Sequence, residues 1–158
     1  MTDPAILNWR RFGAALTSSG QPSEAQLSEI AALGVTDVIN LGPHEHAQAL
    51  PDEAASVAAL GMRYTYIPVD FAAPTEGDYS AFAAAMAEAE AAGRTVHVHC
   101  IVNARVSAFF YRYRRDAIGE DAARAELNSV WEPAGVWAAF IGDIPVEGAN
   151  HRYRGRDY

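Results

Sequence analysis

Apolar positions along the chain follow two alternating rhythms. In "PSEAQLSEIAALG" (22–34) Leu27, Ile30 and Leu33 recur at three-residue steps, which predicts one buried face of a helix. Ser23 and Gln26 stand at capping-box spacing at its start, and Gly34 can end it. "TDVINL" (36–41) then predicts a buried strand. "LPDEAASVAALG" (50–61) predicts a second helix, with Pro51 near its start and Gly61 at its end. "MRYTYIPV" (62–69) predicts a second strand. Thr75 caps a third helix in which Phe82 and Met86 share a face, and "TVHVH" (95–99) is a third strand. A shorter strand is expected in "RFGAAL" (11–16). Beyond Cys100, Val106, Phe109, Phe110 and Tyr113 form a helical stripe, and two short helices are expected in "EDAARAELNSVW" and "AGVWAAFI".

Strands alternating with helices predict an α/β domain with a central, mostly parallel sheet of four to five strands flanked by helices. Residues 1–141 are expected to form one domain, and 142–158 a polar C-terminal tail ending "EGANHRYRGRDY". Ligands of open parallel sheets bind beyond the carboxyl ends of the strands. Three strand ends bring Asn40, Asp70 and Cys100 toward that edge.

Composition narrows the function. Half of the 158 residues are hydrophobic, and 12 Lys+Arg against 20 Asp+Glu give a net charge of −8. An acidic chain lacks the basic surface that nucleic acid requires, yet one local cationic pocket can still hold a small anion. The single cysteine excludes an internal disulfide. The first residues show no signal-peptide pattern, and no apolar run is long enough for a membrane span, so a cytoplasmic protein is expected. Oligomeric state is left open by the sequence.

The stretch "VHVHCIVNARVSAFF" (96–110) concentrates the chemistry. Cys100 leaves a strand and enters a turn that opens a helix. Free amides at a helix start, the helix dipole and a nearby arginine all stabilise an anion or a thiolate. Arg105 brings a planar fork able to hold two oxygens of a phosphate or sulfate. His97 and His99 lie on one strand face, and His44 and His46 stand in "GPHEHAQ", but His-x-His without a third ligand of fixed spacing is a weak metal signal. No metal or organic cofactor is expected.

"VHC" followed by a short loop, an Arg and a helix resembles the signature of cysteine-dependent protein tyrosine and dual-specificity phosphatases. With "SGQPS" and "IPVD" in the same order, the chain over roughly residues 8–141 resembles a bacterial family of small phosphatase-like domains. The resemblance implies that Cys100 attacks phosphorus and forms a phosphocysteine. It implies that the amides of Ile101, Val102, Asn103, Ala104 and Arg105, with the Arg105 guanidinium, hold the phosphate oxygens. Asp70 would protonate the leaving group, His99 would steady the loop and Ser107 would help release the thiolate. The substrate would be a phosphorylated protein or small molecule.

The loop departs from the usual pattern of Cys, five residues, Arg. Only Ile101, Val102, Asn103 and Ala104 separate Cys100 from Arg105, and Asn103 stands where glycine is usual. Asn tolerates positive φ better than most residues. Either the loop is shorter with Arg105 aimed at the anion, or the register is kept and Arg105 points elsewhere. One residue rotates a helix by about 100°, so the two differ sharply. The shorter loop is preferred because it leaves Val106 in the apolar stripe. Rhodanese-like sulfurtransferases use a cysteine loop of this length, so a persulfide carrier on Cys100 is the first alternative. A phosphate- or phosphopeptide-binding domain without catalysis is the second.

Overall fold

A computed structural model of the chain describes residues 2–144, and the polar tail predicted for 142–158 therefore lies outside the described residues from 145 onward. The strands are β1 (Arg10–Arg11), β2 (Leu16–Ser19), β3 (Asp37–Asn40), β4 (Arg63–Tyr66) and β5 (Val96–His99). The helices are α1 (Glu24–Ala32), α2 (Glu53–Ala59), α3 (Glu76–Ala91), α4 (Ala104–Ile118), α5 (Glu120–Asn128) and α6 (Val136–Phe140). The sheet order is β1-β2-β5-β3-β4. Only β1 runs antiparallel, to β2, and β2, β5, β3 and β4 are parallel.

The expected helix starts are built as the side chains dictate. Ser23 and Gln26 form a capping box on α1, and Thr75 and Asp78 form another on α3. Asp78 is thereby committed to a cap. Gly34 and Gly61 follow their helices at positive φ, +95° and +78°, where a Cβ would be strained.

Alternation along β3 sends Val38 and Ile39 to opposite faces of the sheet. Val38 joins Leu27, Ile30, Val57 and Met62 beneath α1 and α2. Ile39 joins Val96, Val98, Phe82, Met86, Phe109 and Phe110 beneath α3 and α4. All of β3 and β5 is buried, as strands covered on both faces are. Fully burying one side chain such as Phe82 contributes about 1.5–3 kcal/mol. Trp131 and Trp137 pack against Phe71 and against each other in the same core.

The first strand differs from expectation. The sequence predicts a strand in "RFGAAL" (11–16), but the parallel strand is Leu16–Ser19, and Arg10–Arg11, which shares only Arg11 with that segment, pairs with it antiparallel. The hydroxyls explain the shift. Thr17 and Ser19 face His97 on β5, with Oγ1 to Nδ1 and Oγ to Nε2 both at 2.8 Å. Ser19 donates to the Gly20 carbonyl, so its oxygen accepts from the Nε2 proton and Thr17 donates to Nδ1. Burial, and then the charge of the nearby His99, push the His97 pKa well below its usual value. His97 is thus a neutral core histidine stacked on Trp9.

Candidate active site

The site sits where β5 ends between β2 and β3. His99 is in register with Ser19 on one side and Asn40 on the other. Cys100 follows, and Asn103 takes the left-handed conformation, φ 73°, one residue before α4 begins. Its side-chain Nδ2 donates to the Asn8 carbonyl at 2.8 Å and the Ser18 hydroxyl at 3.0 Å. The turn thus starts α4 at Ala104 and leaves Val106, Phe109 and Phe110 in the core. Cys100 is a free thiol, fully buried, as are Asn103 and Arg105.

The carbonyls of the loop are held from outside. His99 Nδ1 donates to the Cys100 carbonyl at 2.9 Å, the Gln21 amide to Ile101 at 3.0 Å, and Asn8 Nδ2 to Val102 at 2.8 Å. Among the described residues, the amides of Ile101, Val102, Asn103 and Ala104 donate to no backbone carbonyl. Carbonyls turned outward with amides left over is the arrangement that cradles an anion. The segment at Gly20 passes close enough to require glycine: a Cβ there would lie 2.6 Å from the Ile101 backbone oxygen. That accounts for the glycine of "SGQPS".

Arg105 has no exposed surface. Its Nε donates to the Val69 carbonyl at 2.7 Å, and the guanidinium lies 5.1 Å from the Phe71 ring centre. It therefore reaches the segment that carries Asp70. Asp70 is exposed, accepts from the Ala72 amide at 2.9 Å and is followed by Phe71, whose carbonyl accepts from Trp137 Nε1 at 2.7 Å. Ser107 donates its hydroxyl to the Ala104 carbonyl at 3.0 Å. Asn40 accepts from the Gly42 amide and donates to the Tyr64 hydroxyl. The histidines considered for a metal are engaged elsewhere: His97 and His99 as above, His44 with Tyr64 at 2.7 Å and stacked on Tyr66.

His99 is more deeply embedded than the sequence suggested. Its Nε2 meets the Glu53 carboxylate at 2.5 Å, and both groups are buried. Burial alone would raise the Glu53 pKa, but the charge and hydrogen bond of His99, with a hydrogen bond from Gln21, hold it below its usual value. Nδ1 faces a carbonyl and Nε2 a carboxylate, so each ring nitrogen has an acceptor in reach.

The profile of the phosphatase-like domain of beta-lactamase hydrolase-like proteins matches residues 8–112. The chain belongs to this family. A beta-lactamase hydrolase-like protein of Agrobacterium fabrum strain C58 is 37% identical over 93 residues, 57% of this chain and 21% of that protein. The chain thus spans about a fifth of the length of the curated relatives it matches. A Shewanella putrefaciens CN-32 structure of the phosphatase-like DUF442 group is 36% identical, with a TM-score of 0.76 over 87% of this chain and 90% of that one. TpbA of P. aeruginosa, solved with phosphotyrosine, shares the fold at a TM-score of 0.65 and 20% identity, over 90% of this chain and 79% of its own.

In this phosphatase-like domain, four residues that surround the loop went unrecognised in the sequence: Asn8, Gln21, Glu53 and Gly20. Of these positions the sequence marks only Gly20 and Gln21, within "SGQPS", and assigns them no role. Each acts on a loop many positions away, 94 residues from Asn8 to Val102, so no local spacing marks them.

Proposed function

We propose that the chain is a cysteine-dependent phosphomonoester hydrolase. Cys100 attacks phosphorus as the thiolate, so an S–P bond forms while the P–O bond to the leaving group breaks. The amides of Ile101 through Arg105 and the Arg105 guanidinium hold the equatorial oxygens as charge builds on them. Asp70 gives its proton to the departing oxygen. Water then attacks the phosphocysteine, Asp70 takes the water's proton, and the S–P bond breaks to return the thiolate. Ser107 assists that departure by turning its hydroxyl from the Ala104 carbonyl. The observation that carries this reading is the outward pinning of the Cys100, Ile101 and Val102 carbonyls. An aryl phosphate is the natural first substrate, since the fold-mate TpbA was solved with phosphotyrosine.

One observation favours a second reading, a phosphate-binding domain without turnover. Cys100 and Arg105 have no exposed surface, and Arg105 Nε is committed to the Val69 carbonyl.

Leaving-group dependence separates the two. The wild type is expected to hydrolyse both phenyl phosphate and nitrophenyl phosphate. Asp70→Asn slows the phenyl ester by about 10²–10⁴-fold. It slows the nitrophenyl ester much less, because nitrophenolate leaves without a proton. Steady-state kinetics on the pair check this. Equal losses on both esters remove Asp70 as the acid, and a wild type inert toward both favours the binding domain.

A further inference from the structure

We propose that Glu53 is the positioning residue of the phosphate loop, orienting His99 and Gln21 and, through them, fixing the carbonyls of Cys100 and Ile101 on the loop's outer side. The proposal rests on the phosphatase reading for its kinetic consequences, though not for its structural ones.

The geometry forms a closed circuit. Glu53 Oε2 meets His99 Nε2 at 2.5 Å, and His99 Nδ1 reaches the Cys100 carbonyl at 2.9 Å. Glu53 Oε1 accepts from Gln21 Nε2 at 3.0 Å, and the Gln21 backbone amide donates to the Ile101 carbonyl at 3.0 Å. One carboxylate therefore supports two of the three donors that turn the loop carbonyls outward. Turning those carbonyls outward is what leaves the amides for an anion.

The location of Glu53 argues the same way. It is 2% exposed in the first turn of α2, a helix whose other buried residue is Val57. A buried carboxylate costs several kcal/mol of desolvation unless it is paired and hydrogen-bonded, and a buried ion pair often adds little net stability. Helix α2 needs no such residue for its start, because Asp52 already caps it by accepting from the Ala55 amide. Both oxygens of Glu53 are instead spent on groups that hold the loop. The remaining charge nearby is arranged to suit: His97 is neutral, its ring 6.4 Å from that of His99, and His44 faces Glu53 from the β3–α2 connection and favours its anionic form.

Glu53→Gln tests the proposal, because it keeps size and some hydrogen bonding and removes the charge. With an aryl phosphate, kcat is expected to fall about 10- to 100-fold while KM moves less than about threefold, the pattern of an interaction realised in the transition state. Inhibition by vanadate is expected to weaken by a similar factor. Glu53→Asp, which keeps the carboxylate, is expected to recover part of kcat. Amide resonances of residues 100–105, and the His99 ring nitrogens, report the same variants without any turnover. The wild-type His99 ring, with an acceptor at each nitrogen, is expected to show an N–H at both. Glu53→Gln is expected to lose one and to move the loop amides. A wild type without turnover or vanadate binding removes the phosphatase reading alone, and the resonances still decide the role of Glu53. Unmoved amides with an unaltered His99 ring overturn the proposal. So does a Glu53→Gln protein with wild-type kcat and a lower melting temperature, since that is a packing role only. If Glu53→Gln does not fold, a singly protonated His99 ring in the wild type overturns it.

Discussion

Serine in place of Cys100 is expected to abolish aryl phosphate hydrolysis, by roughly 10⁴-fold or more, the scale of losing a covalent nucleophile. The two side chains differ by one atom, so the core around this fully buried position is kept. What changes is the acidity of the group. A loop of amides and cationic side chains can bring a thiol to its anion at neutral pH, but the same field cannot ionise a serine hydroxyl. The substituted hydroxyl is more polar than the thiol, and burying it costs about 1–3 kcal/mol if no partner accepts it. A modest drop in melting temperature is therefore expected beside the lost turnover. Kinetics and a thermal melt on the same preparation separate the two effects. A serine protein within about tenfold of wild-type turnover places the nucleophile elsewhere.

Arg105→Lys is expected to lower kcat by about 10²–10³-fold and to destabilise the fold as well. Arg105 is among the largest fully buried side chains of the described residues. Its Nε bond to the Val69 carbonyl ties α4 to the segment before Asp70, and the Phe71 ring lies against its guanidinium. Lysine lacks the planar fork, so one charge cannot serve both an oxyanion and that carbonyl. The lost charge-assisted hydrogen bond costs about 1.5–3 kcal/mol, and the ring contact about 0.5–2 kcal/mol. Arg105→Met keeps length and packing without a charge. It is expected to be at least as inactive as the lysine protein, because it offers the phosphate neither a charge nor an N–H donor. Urea unfolding with parallel kinetics distinguishes the roles. If Arg105→Lys keeps activity within about tenfold while losing stability, Arg105 is a strut between α4 and the Asp70 segment and not an oxyanion clamp.

Much of this was readable along the chain because its causes are local. The boxes at Ser23–Gln26 and Thr75–Asp78 act within one helical turn, and they form as expected. The left-handed Asn103 was legible for the same reason: few residues other than glycine accept φ 73° before a helix. Strand β2 was misplaced because "TSS" carries the hydroxyl content of a loop. Its reason for being a buried strand, His97, lies 80 positions from Thr17. Glu53 stands in the first turn of α2, where an acidic residue is common. Its partner His99 is 46 residues away, and nothing in the spacing of either pointed to the other. Apart from Asp70, the residues proposed for the chemistry lie together in one stretch, whereas those that hold the loop come from three other segments of the chain.

The most direct test of the account is the covalent state of Cys100 during turnover. The wild-type protein would be mixed with an aryl phosphate, quenched in acid within the first turnovers, digested, and the Cys100 peptide weighed. A phosphoryl group on Cys100, accumulating with Asp70→Asn and absent with Cys100→Ser, is the expected result. An unmodified Cys100 peptide alongside measurable hydrolysis would contradict nucleophilic attack by this residue. A persulfide on Cys100 after exposure to thiosulfate, with no phosphoryl adduct from any aryl phosphate, would move the chemistry from phosphorus to sulfur.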